Sequence, residues 1–296
     1  LGKGSANMEE SRSLKKNAAG SLASREVRLS AGALEKALLS VFPKEDACSW
    51  DYTGMYVGNP AEEVHGVAVA LDPTVRAMKE AVDAGANVLV THHPVFLDAP
   101  TCFTPFALQG QTSGAGVHYA LTHGLSVMSF HTACDASVEG LGALPALLRL
   151  NQVGVLDPYD HNPNKGFGAL CTPQEELSLQ HLSARCVSVF GSFPRVWGDP
   201  STKLDSIATC GGSAGSVLKH CLTHSVDCLV CGELKYHDAL DAAESGLAII
   251  ELGHDVSELP LCALLATEVV KAGIPESCVT ILNQENNWYI PEALRR

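Results

Sequence analysis

The stretch Asn87-Val-Leu-Val-Thr-His-His-Pro94 places a short apolar run directly before two adjacent histidines and a proline. A run of this length, ended by a proline that cannot donate a ladder hydrogen bond, predicts a buried strand over 87–90. Outward from this stretch, short apolar runs alternate with helical stretches along most of the chain. This alternation is typical of an α/β protein.

The same order of strand, helix, strand and polar stop occurs twice along the sequence. In the first half, predicted strands at 66–71 and 125–130 flank the opening stretch. In the second half, the order returns in predicted strands at 204–209, 227–231 and 247–252. We interpret this order as an internal duplication, although few residues are identical between the halves.

The chain divides into three predicted segments. Residues 28–140 together with 245–296 are expected to form an α/β domain that carries the metal site described below. Residues 141–244 are expected to form a second α/β domain. Residues 1–27 are expected to be a flexible tail, a targeting segment or residues added in cloning.

The composition argues against several classes of protein. Asp and Glu outnumber Lys and Arg by 33 to 20, and the net charge of −13 disfavours binding to nucleic-acid phosphates. No apolar run approaches the roughly 18 residues that a membrane-spanning helix needs. The 11 cysteines lack a repeated spacing, which favours free thiols in a reducing, cytoplasmic location. The basic, Ser- and Ala-rich composition of residues 11–30 makes a mitochondrial location the alternative.

Histidines stand at three predicted strand ends, the places where open α/β sheets bind their ligands. His92 and His93 follow the first of these strands. As neighbours on an extended chain they point to opposite sides, so each could hold a different metal ion. The alternative is a pair of unrelated surface histidines.

The other two strand ends each carry a histidine and a carboxylate four residues apart. His131 and Asp135 offer a ligand pair suited to Zn, Mn, Fe, Co or Ni, whereas the alternative for Asp135 is to cap the next helix. His254 and Glu258 share one face if a helix begins there. Their alternative is a solvated helix start, where an acid is favourable to the helix dipole.

Taken together, four histidines and two carboxylates at equivalent strand ends predict a centre for two metal ions with one bridging carboxylate. Two such ions lower the pKa of a water molecule towards neutrality and supply hydroxide for hydrolysis. These six residues carry the functional prediction.

Two further motifs carry weaker signals. Cys210-Gly-Gly-Ser-Ala-Gly215 lies between a predicted strand and a predicted helix, where backbone N–H groups could hold a phosphate. It lacks the complete dinucleotide or P-loop pattern, so we interpret it as a tight turn. Cys228 and Cys231 have a zinc-like spacing, but within a strand they face opposite ways, so joint ligation is not expected.

The ordered motifs resemble the NIF-three-like family, which is also called the GTP cyclohydrolase I type 2 family. The resemblance covers about residues 30–290. The motifs that carry it are Trp50-Asp51, Asp72-Pro-Thr74, Thr91-His-His-Pro94, His131-Thr-x2-Asp135, Cys231-Gly-Glu233 and Gly253-His-x2-Ser-Glu258. The resemblance implies two intertwined α/β domains with mixed sheets, each built from a related repeat. It also implies a ring-shaped homo-oligomer, commonly a hexamer.

The resemblance further implies a dinuclear metal site in a cleft and a role for each candidate residue. It assigns His92 and His254 to one divalent ion, His93 and Asp135 to the other, Glu258 as the bridge, and His131 as a further ligand or a catalytic proton shuttle.

These observations support two main hypotheses about function. The first is a dinuclear-metal hydrolase acting on a small nucleotide-like substrate, with ring opening of GTP as the reaction that the family name suggests. The second is a metal-binding regulatory or metal-delivery protein that acts through protein partners, including transcription factors. A third hypothesis is a scaffold that needs no metal.

Overall fold

The computed structural model describes residues 29–105, 112–284 and 287–289. These residues form an α/β protein with two mixed sheets, which confirms the predicted fold class. The predicted tail over 1–27 lies outside the described residues. Within the described ranges, no helix is long and apolar enough to cross a membrane.

The described residues form eleven strands and nine α-helices. In chain order, the strands are β1 (Gly54–Val57), β2 (Val67–Ala70), β3 (Val88–Thr91), β4 (Ser126–Ser129), β5 (Leu150–Tyr159), β6 (Asn162–Pro173), β7 (Arg195–Trp197), β8 (Ile207–Ser213), β9 (Cys228–Glu233), β10 (Ala248–Glu251) and β11 (Val279–Ile281). The helices are α1 (Ala31–Val41), α2 (Val75–Asp83), α3 (Thr112–Thr122), α4 (Thr132–Asp135), α5 (Val138–Leu147), α6 (Leu179–Phe190), α7 (Leu218–Thr223), α8 (Tyr236–Glu244) and α9 (His254–Lys271).

The strands belong to two separate sheets. The first sheet has the order β1-β4-β3-β2-β11, and the second has the order β5-β6-β8-β9-β10-β7. Every residue of β2, β3 and β4 is buried. Continuous burial of this kind is expected where parallel strands are covered on both faces, and it explains why their apolar runs do not alternate with polar residues.

The two sheets share one connection pattern. In each sheet, three consecutive strands are parallel neighbours: β2-β3-β4 in the first and β8-β9-β10 in the second. The strand that precedes each set, β1 or β7, pairs antiparallel with the last strand of that set. This shared topology agrees with the related repeat that the sequence predicts.

Helix α9 packs against strands of both sheets. Leu261, Leu265 and Val269 on this helix are buried in a core cluster that includes Val69 and Val90 from β2 and β3. The first turns of α9 lie against β8 and β9. The helix therefore brings the two sheets together at its N-terminal end.

Strand β10 belongs to a different sheet from the one that the predicted division of the chain implies. It falls in the segment 245–296, which the sequence assigns to the metal-site domain, yet it pairs with β9 in the second sheet. The apolar run Ala248–Glu251 continues the parallel set of that sheet, which accounts for the pairing. The domain division at 140 and 245 stays a prediction.

We expect Leu265→Ala to lower the free energy of unfolding by about 2–5 kcal/mol, because Leu265 is fully buried where α9 meets the first sheet. The matched control is Leu121→Ala on α3, where the side chain is 63% exposed; this change should cost less than about 0.5 kcal/mol. Urea unfolding followed by circular dichroism measures both values. Equal losses in the two variants would contradict the assigned role of α9.

Candidate metal centre

The structure brings the six predicted residues together at the carboxyl ends of the parallel strands. Their candidate ligand atoms form three groups, and within each group these atoms lie within 4.8 Å of one another. The groups are His92 with Asp135 and Glu258, His93 with His254 and Glu258, and His92 with His93 and His131.

Local structure explains why Asp135 and Glu258 lie near the histidines. Ser137 caps α5 by accepting a hydrogen bond from the Gly140 backbone N–H at 2.9 Å, so Asp135 is not the cap of that helix. His254 is the first residue of α9, which places Glu258 one turn further along the same helix. The His254 Nε2 atom lies 3.1 Å from Glu258 Oε2.

The geometry groups the ligands differently from the pairing that the resemblance implies. His92 Nε2 lies 3.4 Å from Asp135 Oδ1, whereas His93 Nε2 lies 2.9 Å from Glu258 Oε2. The Nε2 atoms of these two neighbouring histidines thus lie nearest to different carboxylates. His92 therefore belongs with Asp135, and His93 belongs with His254.

Glu258 lies between these two groups. Its Oε1 atom is 3.7 Å from His92 Nε2, and its Oε2 atom is 2.9 Å from His93 Nε2. The side chain is only 4% exposed. A buried carboxylate of this kind needs positive charge or strong donors close by, because burial of an unpaired charge is costly.

An outer layer of acceptors fixes the three histidine rings. His92 Nδ1 lies 3.1 Å from Phe130 O, and His93 Nδ1 lies 2.8 Å from Asp72 Oδ1. His254 Nδ1 lies 3.0 Å from Glu233 Oε1. Carbonyl and carboxylate oxygens only accept hydrogen bonds, so each Nδ1 donates. In a neutral ring, Nε2 then offers a lone pair towards the cluster, the arrangement usual for metal-bound histidine.

The surroundings of the His92 Nε2 atom indicate whether these residues fit a cation. It is buried, and it has no hydrogen-bond partner among the residues that the structure describes. A buried nitrogen left in this state costs about 1–3 kcal/mol unless a ligand completes it. A divalent ion coordinated by His92, Asp135 and Glu258 would give this nitrogen a partner. These three side chains therefore fit a metal ion.

The carboxylates also shift the protonation of the histidines. Burial lowers the pKa of His93, but hydrogen bonds to Asp72 and Glu258 outweigh it and raise the pKa to about 10. The hydrogen bond to Glu258 raises the pKa of His254 to about 9. Burial raises the pKa of Glu258, but hydrogen bonds to the histidines hold it well below its usual range. Protons on the rings therefore balance the carboxylate charge when no cation is bound.

The segment interpreted as a plain tight turn also contacts the cluster. The Gly212 backbone N–H donates to Ser257 Oγ at 3.0 Å, and Gly212 has a φ of +59°. A Cβ atom at this position would overlap Glu258 Oε1. Gly212 is therefore required both for its backbone conformation and for the space that Glu258 occupies.

Three other residues of the site were not predicted as part of it from the sequence. Asp72 precedes α2, which the Thr74 hydroxyl caps, and Asp72 binds His93. Glu233 binds His254 from the end of β9. Both residues stand in motifs of the family resemblance, which was the only signal for them. Asp51 Oδ2 lies 3.4 Å from His131 Nδ1.

A cavity of about 920 Å³ opens beside the cluster. Its lining includes His131, Asp135, His254 and Glu258 together with Trp50 and Lys235. The His131 ring centroid lies 5.3 Å from that of His92 and 5.6 Å from that of His93. Its role as a catalytic residue stays a prediction.

The fold and the cluster define an α/β protein with a candidate metal centre where two related sheets meet. The family model for Duf34/NIF3 (NGG1p interacting factor 3) matches residues 30–287, and the chain belongs to this family. The match confirms the resemblance that the sequence motifs indicate.

Relatives and solved structures agree with this assignment. The GTP cyclohydrolase 1 type 2 homolog of Streptomyces coelicolor is 33% identical over 240 residues, which cover 79% of this chain and 83% of that protein. NGG1-interacting factor 3 of Saccharomyces cerevisiae is 26% identical over 251 residues, which cover 76% and 85%. The crystal structure of Staphylococcus aureus SA1388 has the same fold, with a TM-score of 0.79 and 22% identity over 89% of this chain and 100% of that chain.

We expect Gly212→Ala to reduce metal binding severely, because the added methyl group takes the space of Glu258 Oε1. The matched control is Gly215→Ala in the same segment, where the nearest atom, Asp238 Oδ2, is 4.0 Å from the added Cβ. Isothermal titration with Zn²⁺ compares the two variants, and thermal unfolding of the metal-free proteins checks that both fold. Equal affinities in the folded variants would contradict this role of Gly212.

We expect metal binding to release protons and to strengthen as the pH rises. A protonated imidazole cannot coordinate a cation, and the pKa values of about 10 for His93 and about 9 for His254 lie above neutral pH. The affinity should therefore increase roughly tenfold per pH unit for each proton displaced. Titration calorimetry with Zn²⁺ in buffers of different ionisation enthalpy measures the number of protons. An affinity independent of pH between about 6.5 and 8.5 would contradict the protonation scheme.

Proposed function

We propose that this protein binds two divalent metal ions and acts as a metal-dependent hydrolase on a nucleotide-like substrate, in the manner of a GTP cyclohydrolase I type 2. The observation that carries this proposal is the position of Glu258. Its two carboxylate oxygens face two different histidine groups, as a bridging ligand requires. The name of the Streptomyces relative supports the choice of reaction class.

The proposed ligands divide into two sets that share Glu258. His92 and Asp135 would hold one ion, and His93 and His254 would hold the other. A set of imidazole and carboxylate ligands without thiolate suits Zn, Mn, Fe, Co or Ni. Two bound ions of this kind supply Lewis acidity and lower the pKa of water towards neutrality.

Three residues around the cavity have chemistry suited to a substrate of this class. Trp50 is 59% exposed and lines the cavity, where its ring offers a face on which a base could stack. Lys235 lines the cavity and has no ion-pair partner among the described residues, so its charge is available to an anionic group. His131 lies within reach of the cluster and would carry protons between substrate and solvent.

The cavity size also fits this substrate class. Pockets for small molecules typically measure about 300–1,000 Å³, and a cavity of about 920 Å³ lies within that range. Its lining combines apolar residues, such as Leu141 and Phe167, with the polar cluster at one side. A ligand with an apolar ring and a polar reacting group would match this division.

A second function is favoured by a separate surface. An apolar groove of about 1260 Å³ is lined by Leu147, Val189, Phe193, Trp288 and Tyr289, and the last of these is 82% exposed. Apolar surfaces of this kind commonly bind proteins. The yeast relative is named for an interaction with NGG1. The alternative proposal is a regulatory or metal-delivery protein that acts through protein partners, including transcription factors, with a hexameric homo-oligomer as its own assembly.

The test of the first proposal is the metal content of each chain and its turnover. We expect about two equivalents of one transition metal by elemental mass spectrometry, on protein purified without a chelating column. His93→Ala and His254→Ala should lose metal and hydrolysis of GTP or of another nucleotide in a panel. His224→Ala, which changes an exposed histidine outside the cluster, is the matched control and should retain both.

The outcomes separate the proposals. Protein that holds no metal and cannot be reloaded would overturn the hydrolase proposal and would leave a scaffold. Two equivalents of metal without turnover across the panel, together with transfer of the metal to a chelating acceptor protein, would favour the delivery function.

A further inference from the structure

Asp51 is a fully buried carboxylate next to the metal cluster that the proposed function does not use. Its side chain is 0% exposed, and it belongs to the irregular segment between the turn Lys44–Asp46 and strand β1. A carboxylate buried to this degree requires donors or positive charge to offset the loss of hydration. The partners of Asp51 therefore indicate why it is present.

One carboxylate oxygen of Asp51 is satisfied by the start of α4. The Thr132 backbone N–H donates to Asp51 Oδ2 at 3.0 Å, and the Thr132 hydroxyl donates to the same oxygen at 2.6 Å. The Thr132 hydroxyl in turn accepts from the Cys48 backbone N–H at 2.9 Å. Asp51 is thus fixed in place relative to His131, the residue before Thr132.

The His131 ring faces this fixed carboxylate. His131 Nδ1 lies 3.4 Å from Asp51 Oδ2. Both His131 Nδ1 and Asp51 Oδ1 are buried, and neither has a hydrogen-bond partner in the part of the chain that the structure describes. The Trp50 ring packs against the same imidazole in a T-shaped arrangement at a centroid distance of 5.8 Å. The ring is therefore largely enclosed, and its Nδ1 atom lies beside an oxygen that can only accept.

We propose that Asp51 is a positioning residue that holds the Nδ1–H tautomer of His131 and so presents the bare Nε2 atom to the cavity. In the opposite tautomer, the lone pair of Nδ1 would face a buried carboxylate, which is repulsive. The bare Nε2 atom is the one that accepts a proton or a cation. The Nδ1 atoms of the other three histidines also face acceptors, and they donate hydrogen bonds to Phe130, Asp72 and Glu233.

A role of the bare His131 Nε2 atom in catalysis rests on the proposed function. The Nδ1–H tautomer of His131 does not depend on bound metal, so it is tested in the metal-free protein. A competing explanation is that Asp51 only anchors the first turn of α4. That explanation predicts that loss of the Thr132 hydroxyl has the same effect on His131 as loss of Asp51. The two variants therefore distinguish a positioning role from a merely structural one.

The experiment is solid-state ¹⁵N NMR of the metal-free protein with ¹⁵N-labelled histidine, at about pH 8.5, where an ordinary histidine is neutral. N–H nitrogens and bare nitrogens of imidazole resonate far apart, and His131→Gln identifies the signals of His131. The wild-type protein and Thr132→Val should show a protonated Nδ1 and a bare Nε2. Asp51→Leu should transfer the proton to Nε2, and the isosteric Asp51→Asn should show a mixture of both tautomers.

A protonated Nε2 in the wild-type protein would overturn the proposal, and so would an unchanged tautomer in both Asp51 variants. A shift in Thr132→Val equal to that in Asp51→Leu would support the structural explanation instead. Metal content measured on the same samples keeps the two proposals separate. Loss of all metal binding with the expected tautomers would overturn the proposed function and leave the role of Asp51 intact.

Discussion

The buried carboxylate of Glu258 is the group on which the arrangement of this protein depends. It is almost completely removed from solvent, yet it lies within hydrogen-bonding or ion-pair distance of three histidine rings. Its charge can be balanced only by protons on those rings or by cations between them. The surrounding residues either hold the histidine rings near this carboxylate or leave room for its side chain.

The repeated topology of the fold places the histidine rings around the Glu258 carboxylate. Each half of the protein makes three parallel strands in order, so polar residues that follow those strands are collected at one edge of each sheet. Helix α9 packs against both sheets and begins where their edges approach each other. His92 and His93 then come from the first sheet, while His254 and Glu258 come from the helix that follows the second. Neither sheet alone contains the complete ligand set.

The surroundings of the cluster reduce the freedom of its side chains. Asp72, Glu233 and the Phe130 carbonyl fix the histidine rings from outside, and Gly212 leaves room for the carboxylate. Rings held in this way lose little conformational entropy when they bind a ligand, which favours tight and specific binding. The same principle connects the metal centre to the neighbouring cavity, because His131 lines both.

Much of the architecture could be predicted from the sequence alone. The apolar runs before His92, His131 and His254 identify buried strands, because strands covered on both faces must be continuously apolar. Polar residues at the ends of those strands identify the candidate site, because parallel strands end at a common edge. The family motifs contain the same six residues and imply a role for each of them.

The tertiary structure decided which of these residues face one another. Local sequence sets the direction of a side chain relative to its own strand or helix, but not the element that lies opposite. His92 therefore meets Asp135 rather than His254 only because of the register of the sheets and the start of α9. Asp51 and Gly212 stand in motifs that the sequence shows, but the motifs do not reveal their roles, which come from contacts with residues far away in the chain. The sequence by itself determined the elements and the ligand types, whereas packing between the two sheets decided their pairing.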